Sequence, residues 1–287
     1  MRPQRVTVVQ ADVPAGSVDA VLDVLSVTDF TPTAWEDIER GSCRVELFLD
    51  DPAMAEIAIA AIVAAGEVFG LELVPVVATL EAEEWAESWK RFFKVERVSP
   101  RVVVRPVWEE YQAAQGEVVI DIEPGLSFGT GRHETTRSCL QFLDKIAAEQ
   151  SGATLLDMGC GSGILAICGA KLGFSDVCGF DNDPDAVVIA AENSALNGVT
   201  VEFFHADLNS NKRSARIVVA NILGPVLIEH AAVIAAAVER EAGGGLVISG
   251  ILDTQYADVV AAFSPYGLVE HESIKDGEWR SGWLVIR

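Results

Sequence analysis

The sequence predicts an α/β chain with two domains, a small α+β domain followed by a doubly wound, mostly parallel sheet. Three observations predict this class. The first 78 residues alternate strand and helix signals in the order βαββαβ. From about residue 98, short apolar strands alternate with helices. One of those strands runs directly into a glycine-rich loop. With 287 residues, half of them apolar, the chain is long enough for two cores.

The first domain, residues 1–78, reads as a ferredoxin-like unit. Its helix signals are the apolar stripe that begins at Val18 and Val21, and Pro52, which suits a first helical turn. Gly41 and Ser42 indicate a hairpin between two strands. In chain order, the predicted elements are strand 5–10, helix 14–27, strands 33–39 and 44–49, helix 51–65 and strand 71–78.

Residues 79–97 are the predicted linker. The stretch 80–94 combines many charges with four large aromatic residues at helical spacing, which favours a helix that packs against a neighbouring domain. Those aromatic residues are Trp85, Trp89, Phe92 and Phe93.

Residues 98–287 form the predicted second domain. Its short apolar strands are separated by helices in most cases, which indicates a parallel sheet. The chain then ends in two strands joined around Asp276 and Gly277. The predicted strands are 155–158, 176–180, 201–204, 217–220, 245–249, 268–274 and 279–286.

Composition excludes several classes of protein. The net charge of −22 disfavours a general nucleic-acid binder, and it agrees either with attraction of a basic protein or with a role in solubility alone. The sequence lacks an apolar run of membrane-spanning length and a signal peptide at its start, so we expect a cytoplasmic protein with no membrane partner. Five cysteines without a CxxC pattern predict buried, reduced thiols and no metal site.

The strongest motif is the glycine loop that follows the strand at 155–158. It has the pattern GxGxG, from Gly159 through Gly161 to Gly163. Glycines permit a sharp turn and close approach of a ligand to the backbone. Ile164 stands where a dinucleotide fingerprint would need another glycine, so the loop suits the amino-acid part of a nucleoside ligand. The alternative is a glycine-rich turn that binds nothing.

An acidic residue in the right place favours the nucleoside. Asp181 ends the next strand, 22 residues after Gly159, near the spacing at which a carboxylate meets ribose hydroxyls. Asp183 is better suited to cap the helix that Pro184 opens. Asp207, after the following strand, could contact an adenine amine or be an ordinary acidic residue of a loop.

Two further segments supply candidate residues. Asn221 follows the strand at 217–220, and parallel sheets place active sites at the carboxyl ends of strands. Thr135 and Thr136 lie in the first turn of a helix that follows residues 123–132. Their hydroxyls either cap the helix or contact the ligand. A lone histidine near the start of a helix, such as His133, more often has a structural role than the role of a catalytic base.

Four motifs together resemble the PrmA family, the methyltransferases of ribosomal large-subunit protein L11. They are PGLSFGTGRHETT, LLDMGCGSGILAI, FDNDPDA with ENSALNGV, and VVANIL, in that order. The resemblance covers residues from about 80 to 287, and it implies a Rossmann-like class I methyltransferase. The first segment is the most specific, because many methyltransferases share the glycine loop.

The resemblance also implies the cofactor and its ligands. It implies that S-adenosylmethionine is bound by Thr136, Gly159, Asp181 and Asn221, and Gly161 belongs to the same loop. It implies that the N-terminal domain recognises ribosomal protein L11 and that a linker repositions the catalytic domain. The implied acceptors are lysine side chains and the N-terminal amine. Two departures, the GEWRSGW ending and the poorly matched N-terminal domain, bear on the protein substrate more than on the cofactor.

Asn221 is our candidate catalytic residue, orienting the acceptor amine through its side-chain oxygen. Three other functions compete with this hypothesis. They are a lysine methyltransferase with a different protein target, a non-catalytic nucleoside-binding regulator and an NAD-dependent oxidoreductase. Ile164 weighs against the last of these.

Overall fold

The computed structural model describes residues 5–14, 17–26, 28, 30, 32–37, 42–49, 51–81, 94–122, 133–240 and 243–287. The described residues before position 82 form one compact unit, and those from Lys94 onward form another. The predicted linker helix falls mainly on residues 82–93, outside the described residues.

The first unit has the predicted βαββαβ order. Its strands pair antiparallel in the order β2-β3-β1-β4, which is the ferredoxin-like arrangement. Alternate residues of the central strands, such as Val9 and Val45, pack against Val21 and Ile62 of the two helices. The elements are β1 (Arg5–Pro14), α1 (Val18–Ser26), β2 (Pro32–Asp37), β3 (Ser42–Leu49), α2 (Ala55–Val68) and β4 (Val76–Glu81).

Several boundaries of the first unit were predicted wrongly, and two of them have a clear local cause. α1 begins at Val18 rather than at residue 14, because Pro14 still pairs with Ser42 in the sheet. β4 begins at Val76 rather than at residue 71, because the backbone N–H of Leu71 bonds the end of α2 at Gly66 (2.9 Å). Pro75 then has no N–H to contribute to a strand ladder. The sequence pattern showed the apolar run, and local hydrogen bonds decided where the strand starts.

The second unit is larger and contains two sheets. A short sheet of strands β5-β6-β7 was not predicted. The elements up to the first half of the main sheet are β5 (Glu96–Arg97), β6 (Val102–Pro106), β7 (Val118–Ile122), α3 (Glu134–Glu149), β8 (Thr154–Met158), α4 (Ile164–Leu172), β9 (Ser175–Asp181), α5 (Pro184–Leu196) and β10 (Glu202–His205). The second half comprises β11 (Ile217–Asn221), α6 (Gly224–Glu229), α7 (Ala231–Ala236), β12 (Gly245–Leu252), α8 (Tyr256–Phe263), β13 (Leu268–Asp276) and β14 (Trp279–Ile286).

The main sheet has the order β10-β9-β8-β11-β12-β14-β13. Its first five strands are parallel, and the β13–β14 hairpin adds antiparallel to β12. The chain leaves β8 toward β9 on one side and later returns to β11 on the other side. The strand order therefore reverses between β8 and β11, and ligands of such sheets bind at the carboxyl ends of the strands at this switch point.

Both faces of the main sheet are covered, as parallel strands require. Leu155 and Val219 face a core shared with α3 and α4, whereas Leu156 and Val218 face a core shared with α6, α7 and α8. Each of these four side chains is fully buried. Within the described part of the chain, no helix has the length and apolar character needed to span a bilayer.

Candidate functional site

The candidate residues meet at the switch point of the main sheet. Gly159 and Gly161 follow β8, Asp181 ends β9 and Asn221 ends β11. Thr136 reaches the same place from the first turn of α3, and its hydroxyl lies 3.5 Å from the side-chain nitrogen of Asn221. Residues 123–132, the most specific part of the resemblance, lie outside the described residues.

The backbone of the glycine loop adopts conformations that residues with a Cβ rarely adopt. Gly159, Gly161 and Gly163 all have positive φ, at 71°, 51° and 78°. The backbone N–H groups of Gly159 and Cys160 both donate to the carbonyl oxygen of Phe180 at 2.9 Å. The loop is thus tied to the end of β9 and holds its shape through its own hydrogen bonds.

Gly163 has a second reason to be glycine. A Cβ at this position would lie 2.8 Å from Cζ of Phe203 and 2.9 Å from Cβ of Ala190. Helix α5 and strand β10 therefore approach the loop more closely than any other residue would allow. This is the close helix packing that the last glycine of such loops provides.

Both carboxylate oxygens of Asp181 accept backbone hydrogen bonds. Its Oδ2 accepts the N–H of Gly161 at 2.8 Å, and its Oδ1 accepts the N–H of Asp183 at 3.0 Å. A carboxylate has about four acceptor directions, so both oxygens retain capacity for the hydroxyls of a ligand. Asp183 caps α5 through the N–H of Asp185 (2.9 Å), as predicted.

Asn221 carries an unsatisfied acceptor. Among the described residues, its buried Oδ1 has no hydrogen-bond donor, and its Nδ2 has only the long contact to the Thr136 hydroxyl. A buried carbonyl oxygen without a donor costs about 1–3 kcal/mol. Such an atom at a switch point is what a site for a donor ligand would show in the absence of that ligand.

The first turn of α3 is held from two sides. The ring nitrogen Nδ1 of His133 accepts the N–H of Thr135 at 3.4 Å and lies 2.8 Å from the Thr135 hydroxyl. Ser249 of β12 donates to the Thr135 carbonyl at 3.1 Å, and Ser281 of β14 lies 2.6 Å from Ser249. His133 therefore acts as the N-cap of α3, which agrees with its structural interpretation.

Asp157 is a candidate that the sequence analysis missed. It lies in β8, two residues before Gly159, and only 1% of its surface is exposed. Its Oδ2 accepts the N–H of Ala166 at 3.2 Å, whereas its Oδ1 has no donor among the described residues. Burial, and secondarily the charge of Asp181, raises the pKa of Asp157 to about 7. An acid inside the apolar run of Leu155, Leu156 and Met158 was the available signal.

Asp207 makes a local turn. Its Oδ1 accepts the backbone N–H groups of Asn209 and Ser210, each at 2.8 Å. These bonds, above all that from Ser210, lower the pKa of Asp207. The turn accounts for one carboxylate oxygen, and the prediction that Asp207 reaches an adenine amine stays a prediction.

Two asparagines of the ENSALNGV motif, at the end of α5, hydrogen-bond to the backbone near the site. Asn193 donates to the carbonyl oxygen of Ser162, within the glycine loop, at 2.9 Å. Asn197 both accepts the N–H of Asp121 (2.8 Å) and donates to its carbonyl (2.7 Å), as a neighbouring strand would. The sequence analysis used this motif only for the resemblance, and its structural role was missed.

The cysteines have no visible chemical role. All five are buried and none forms a disulfide. Cys160 lies in the glycine loop, but burial raises the pKa of its thiol, which keeps it protonated and unreactive at neutral pH. In the described ranges, no group of three or more His, Cys, Asp and Glu side chains is arranged to hold a metal ion.

The arrangement is suited to a cationic nucleoside. Asp181 offers carboxylate oxygens beside the loop, and two buried acceptors, on Asp157 and Asn221, lack donors among the described residues. A ligand with ribose hydroxyls, an ammonium group and a positive centre would satisfy all three. S-adenosylmethionine, the ligand implied by the resemblance, has each of these groups.

Comparison with known proteins identifies the same chemistry. Residues 25–284 match the model of the family described as ribosomal protein L11 methyltransferase (PrmA). The chain is 36% identical to the ribosomal protein L11 methyltransferase of Geotalea daltonii, with 95% of both chains covered. It is 42% identical to the protein of that name from Geobacter metallireducens, covering 71% of this chain and 67% of the other.

A solved structure is also similar. The crystal structure of a ribosomal protein L11 methylase from Lactobacillus delbrueckii subsp. bulgaricus superposes with a TM-score of 0.62 at 28% identity. The match covers 68% of this chain and all of the other chain.

Proposed function

Since the chain belongs to the family of ribosomal protein L11 methyltransferases, we infer that it is an S-adenosylmethionine-dependent protein methyltransferase that acts on ribosomal protein L11. The observation that carries this function is the buried, donorless Oδ1 of Asn221 at the switch point, beside the glycine loop and Asp181. The fold, the family and this geometry all favour the same chemistry.

We propose that five residues hold the cofactor. Asp181 would accept the ribose hydroxyls, while Gly159 and Gly161 let the ligand approach the loop backbone. Thr136 and Asn221 would contact the part of the ligand nearest the reacting centre. The bound cofactor supplies a methyl group activated by its sulfonium.

Asp157 adds a sixth candidate. Its buried carboxylate lies two residues before Gly159, with one oxygen that has no donor among the described residues. When ionised, this carboxylate would offset a positive charge on the ligand. Its pKa of about 7 means that it loses its proton readily when a cation arrives.

We propose that the acceptors are lysine side chains or the N-terminal amine. At pH 7, removing the proton of a lysine with a reference pKa near 10.4 costs about 4.6 kcal/mol, and for an α-amine near 7.8 it costs about 1 kcal/mol. Both costs are lower than the ~7–11 kcal/mol that alignment can contribute. A strong general base is therefore not required, and in this proposal Asn221 Oδ1 orients the amine.

We propose that residues 1–78 recognise the protein substrate, that 79–97 link the domains and that 98–287 are catalytic. The recognition unit exposes several large apolar side chains, among them Phe69 (44% exposed) and Val74 (72%). Between residues 51 and 81 the chain has acidic residues but neither Lys nor Arg. Exposed apolar side chains on a segment that carries only negative charge suit a basic protein partner. Because the proposed substrate is a ribosomal protein, we propose that the reaction takes place in the cytoplasm.

The test is methyl transfer to purified ribosomal protein L11. Incubation with labelled S-adenosylmethionine, followed by intact-mass and peptide analysis, should show L11 gaining methyl groups on amines. Labelling of a different protein in a cell extract, with L11 unlabelled, would favour a methyltransferase with another target. Tight cofactor binding with no transfer to any protein would favour a nucleoside-binding regulator.

A further inference from the structure

The residue after Asn221 lies between two glycines, one in the loop after β8 and one in β12. Ile222 follows Asn221 at the end of β11 and is half-buried. A Cβ on Gly159, in the cofactor loop, would lie 2.7 Å from the side-chain atom Cγ2 of Ile222. A Cβ on Gly250, in β12, would lie 2.5 Å from the carbonyl oxygen of Ile222 and 2.8 Å from its carbonyl carbon.

These two contacts differ in kind. The contact with Gly159 involves one methyl group of the Ile222 side chain, and the contact with Gly250 involves the Ile222 backbone. Both glycines have positive φ, 71° and 79°, so each position excludes a Cβ twice over, by conformation and by space. Ile222 therefore packs closely against Gly159 on one side and against Gly250 on the other.

Ile222 lies between two loops that have different proposed roles, cofactor binding for the loop after β8 and orientation of the acceptor amine for the loop after β11. The loop after β8 carries Gly159 and is tied to Asp181, whereas the loop after β11 carries Asn221. Among the described residues, we find no hydrogen bond that joins these two loops directly. Among the described residues, the Ile222 side chain is one point at which the two loops come close.

We propose that Ile222 is a positioning residue for methyl transfer. Its Cγ2 contacts Gly159 and its backbone contacts Gly250. Together these contacts fix the side-chain amide of Asn221 relative to the cofactor loop. This inference rests on the proposed function of Asn221. Because in-line transfer depends on distance and direction, a displacement of about 1 Å can cost roughly 100-fold in rate.

The first experiment compares Gly250→Ala with Gly173→Ala. Gly173 also has a positive φ, 92°, but a Cβ there would meet no atom within 4 Å. Both variants therefore carry the same kind of backbone strain, and only Gly250→Ala pushes on Ile222. We expect kcat for L11 to fall by about 10-fold to 30-fold in Gly250→Ala, with the Kd for S-adenosylmethionine changed less than about threefold. Gly173→Ala should keep kcat within about threefold.

The second experiment separates positioning from filling of space. Ile222→Val keeps Cγ2 and loses volume, whereas Ile222→Leu keeps the volume and loses Cγ2. A positioning role predicts that kcat is about tenfold higher in Ile222→Val than in Ile222→Leu. A role in packing alone predicts that Ile222→Leu is equal or better, because volume-conserving changes are tolerated best in cores. That second order of activities would overturn the inference.

A structural readout keeps this inference separate from the proposed function. Crystals of Gly250→Ala and Gly173→Ala should differ in the distance between the Cα atoms of Gly159 and Asn221, with a shift in Gly250→Ala only. An unshifted Asn221 in Gly250→Ala would refute the positioning role, whatever protein is methylated. Failure of the wild-type protein to methylate L11 would instead refute the proposed substrate and leave this distance to decide the role of Ile222.

Discussion

The loops after β8 and β11 lie side by side, yet they differ in how their polar groups are satisfied. In the loop after β8, the backbone N–H groups of Gly159, Gly161 and Gly163 each have an acceptor within the protein, at 2.8–2.9 Å. In the loop after β11, the buried Oδ1 of Asn221 has no donor among the described residues. One loop has its final hydrogen bonds before a ligand binds, and the other lacks one.

This difference indicates a division of work. A loop that is already ordered loses little entropy when it binds its ligand, which favours tight cofactor binding. An unsatisfied buried acceptor favours any ligand that brings a donor to it. The comparison therefore predicts that changes near the first loop alter cofactor affinity and that changes at Asn221 alter transfer.

The largest effect is expected from Asp181→Ala. This change removes the carboxylate that would accept the ribose hydroxyls and that holds the N–H of Gly161. Hydrogen bonds to a charged group contribute about 1.5–3 kcal/mol each, so the Kd for S-adenosylmethionine should rise at least about 100-fold. Isothermal titration measures this directly. Asp183→Ala is the matched control, because it removes a neighbouring carboxylate that caps α5, and its Kd should change less than about threefold.

A smaller and different effect is expected from Asn221→Ala. The orienting oxygen is lost while the loop after β8 keeps its bonds, so kcat should fall about 30-fold and the cofactor Kd should rise less than about fivefold. Steady-state kinetics with L11, together with titration of the cofactor, would measure both. Equal turnover in the variant would refute the catalytic role of Asn221, and a loss of affinity as large as that of Asp181→Ala would remove the contrast between the two loops.

Asp157 gives a prediction that depends on pH. Because its pKa in the folded protein is raised to about 7, the folded state holds a proton that the unfolded state releases near pH 4. Stability from this group is therefore lost as the pH rises from about 4 to 7, and the loss is complete above that range. Asp157→Asn lacks this loss, so it should be more stable than the wild type at pH 8, by about 1–2 kcal/mol, and by less at pH 5.

The measurement is the Tm of both proteins between pH 5 and 8. For a domain of this size, 1 kcal/mol corresponds to about 2–4 °C. The same variant should bind S-adenosylmethionine more weakly, because it lacks the carboxylate that would offset the positive charge. A stability difference independent of pH would show that Asp157 does not titrate in this range.

The smallest effect is expected from Asn193→Ala. Its side chain donates to the carbonyl of Ser162 and supports the glycine loop from outside. Loss of one neutral hydrogen bond costs about 1 kcal/mol, so the cofactor Kd should rise about threefold to fivefold. Glu192→Ala, on the exposed side of the same helix, should leave the Kd unchanged. An effect of Asn193→Ala on kcat but not on Kd would contradict the separation of the two loops.

The sequence predicted the parts of this structure that depend on periodicity and on glycine. The strands at 217–220 and 279–286 were located within a residue, because apolar runs bounded by turn residues leave little choice. The ferredoxin-like order and the N-cap at Asp183 were predicted from local patterns alone. Gly159, Asp181 and Asn221 converge because strand ends in a parallel sheet share one edge, and Thr136 reaches them from the first turn of α3.

What sequence could not predict depends on contacts between distant residues. Asp157 reads as one acid in a strand, and only the packing of α4 over β8 shows that it is buried. The contacts of Ile222 with Gly159 and Gly250 join three strands, so no local pattern contains them. The short sheet of β5, β6 and β7 was missed for the same reason, since its pairing is visible only in three dimensions.

The pairing of Asn197 with Asp121 has a consequence for the segment between residues 122 and 133. A side chain of α5 fixes the backbone just before this segment, through both the N–H and the C=O of Asp121. Ser249 fixes the backbone just after it, through the carbonyl of Thr135. The described backbone on both sides of residues 123–132 is therefore held by side chains of other elements, α5 and β12.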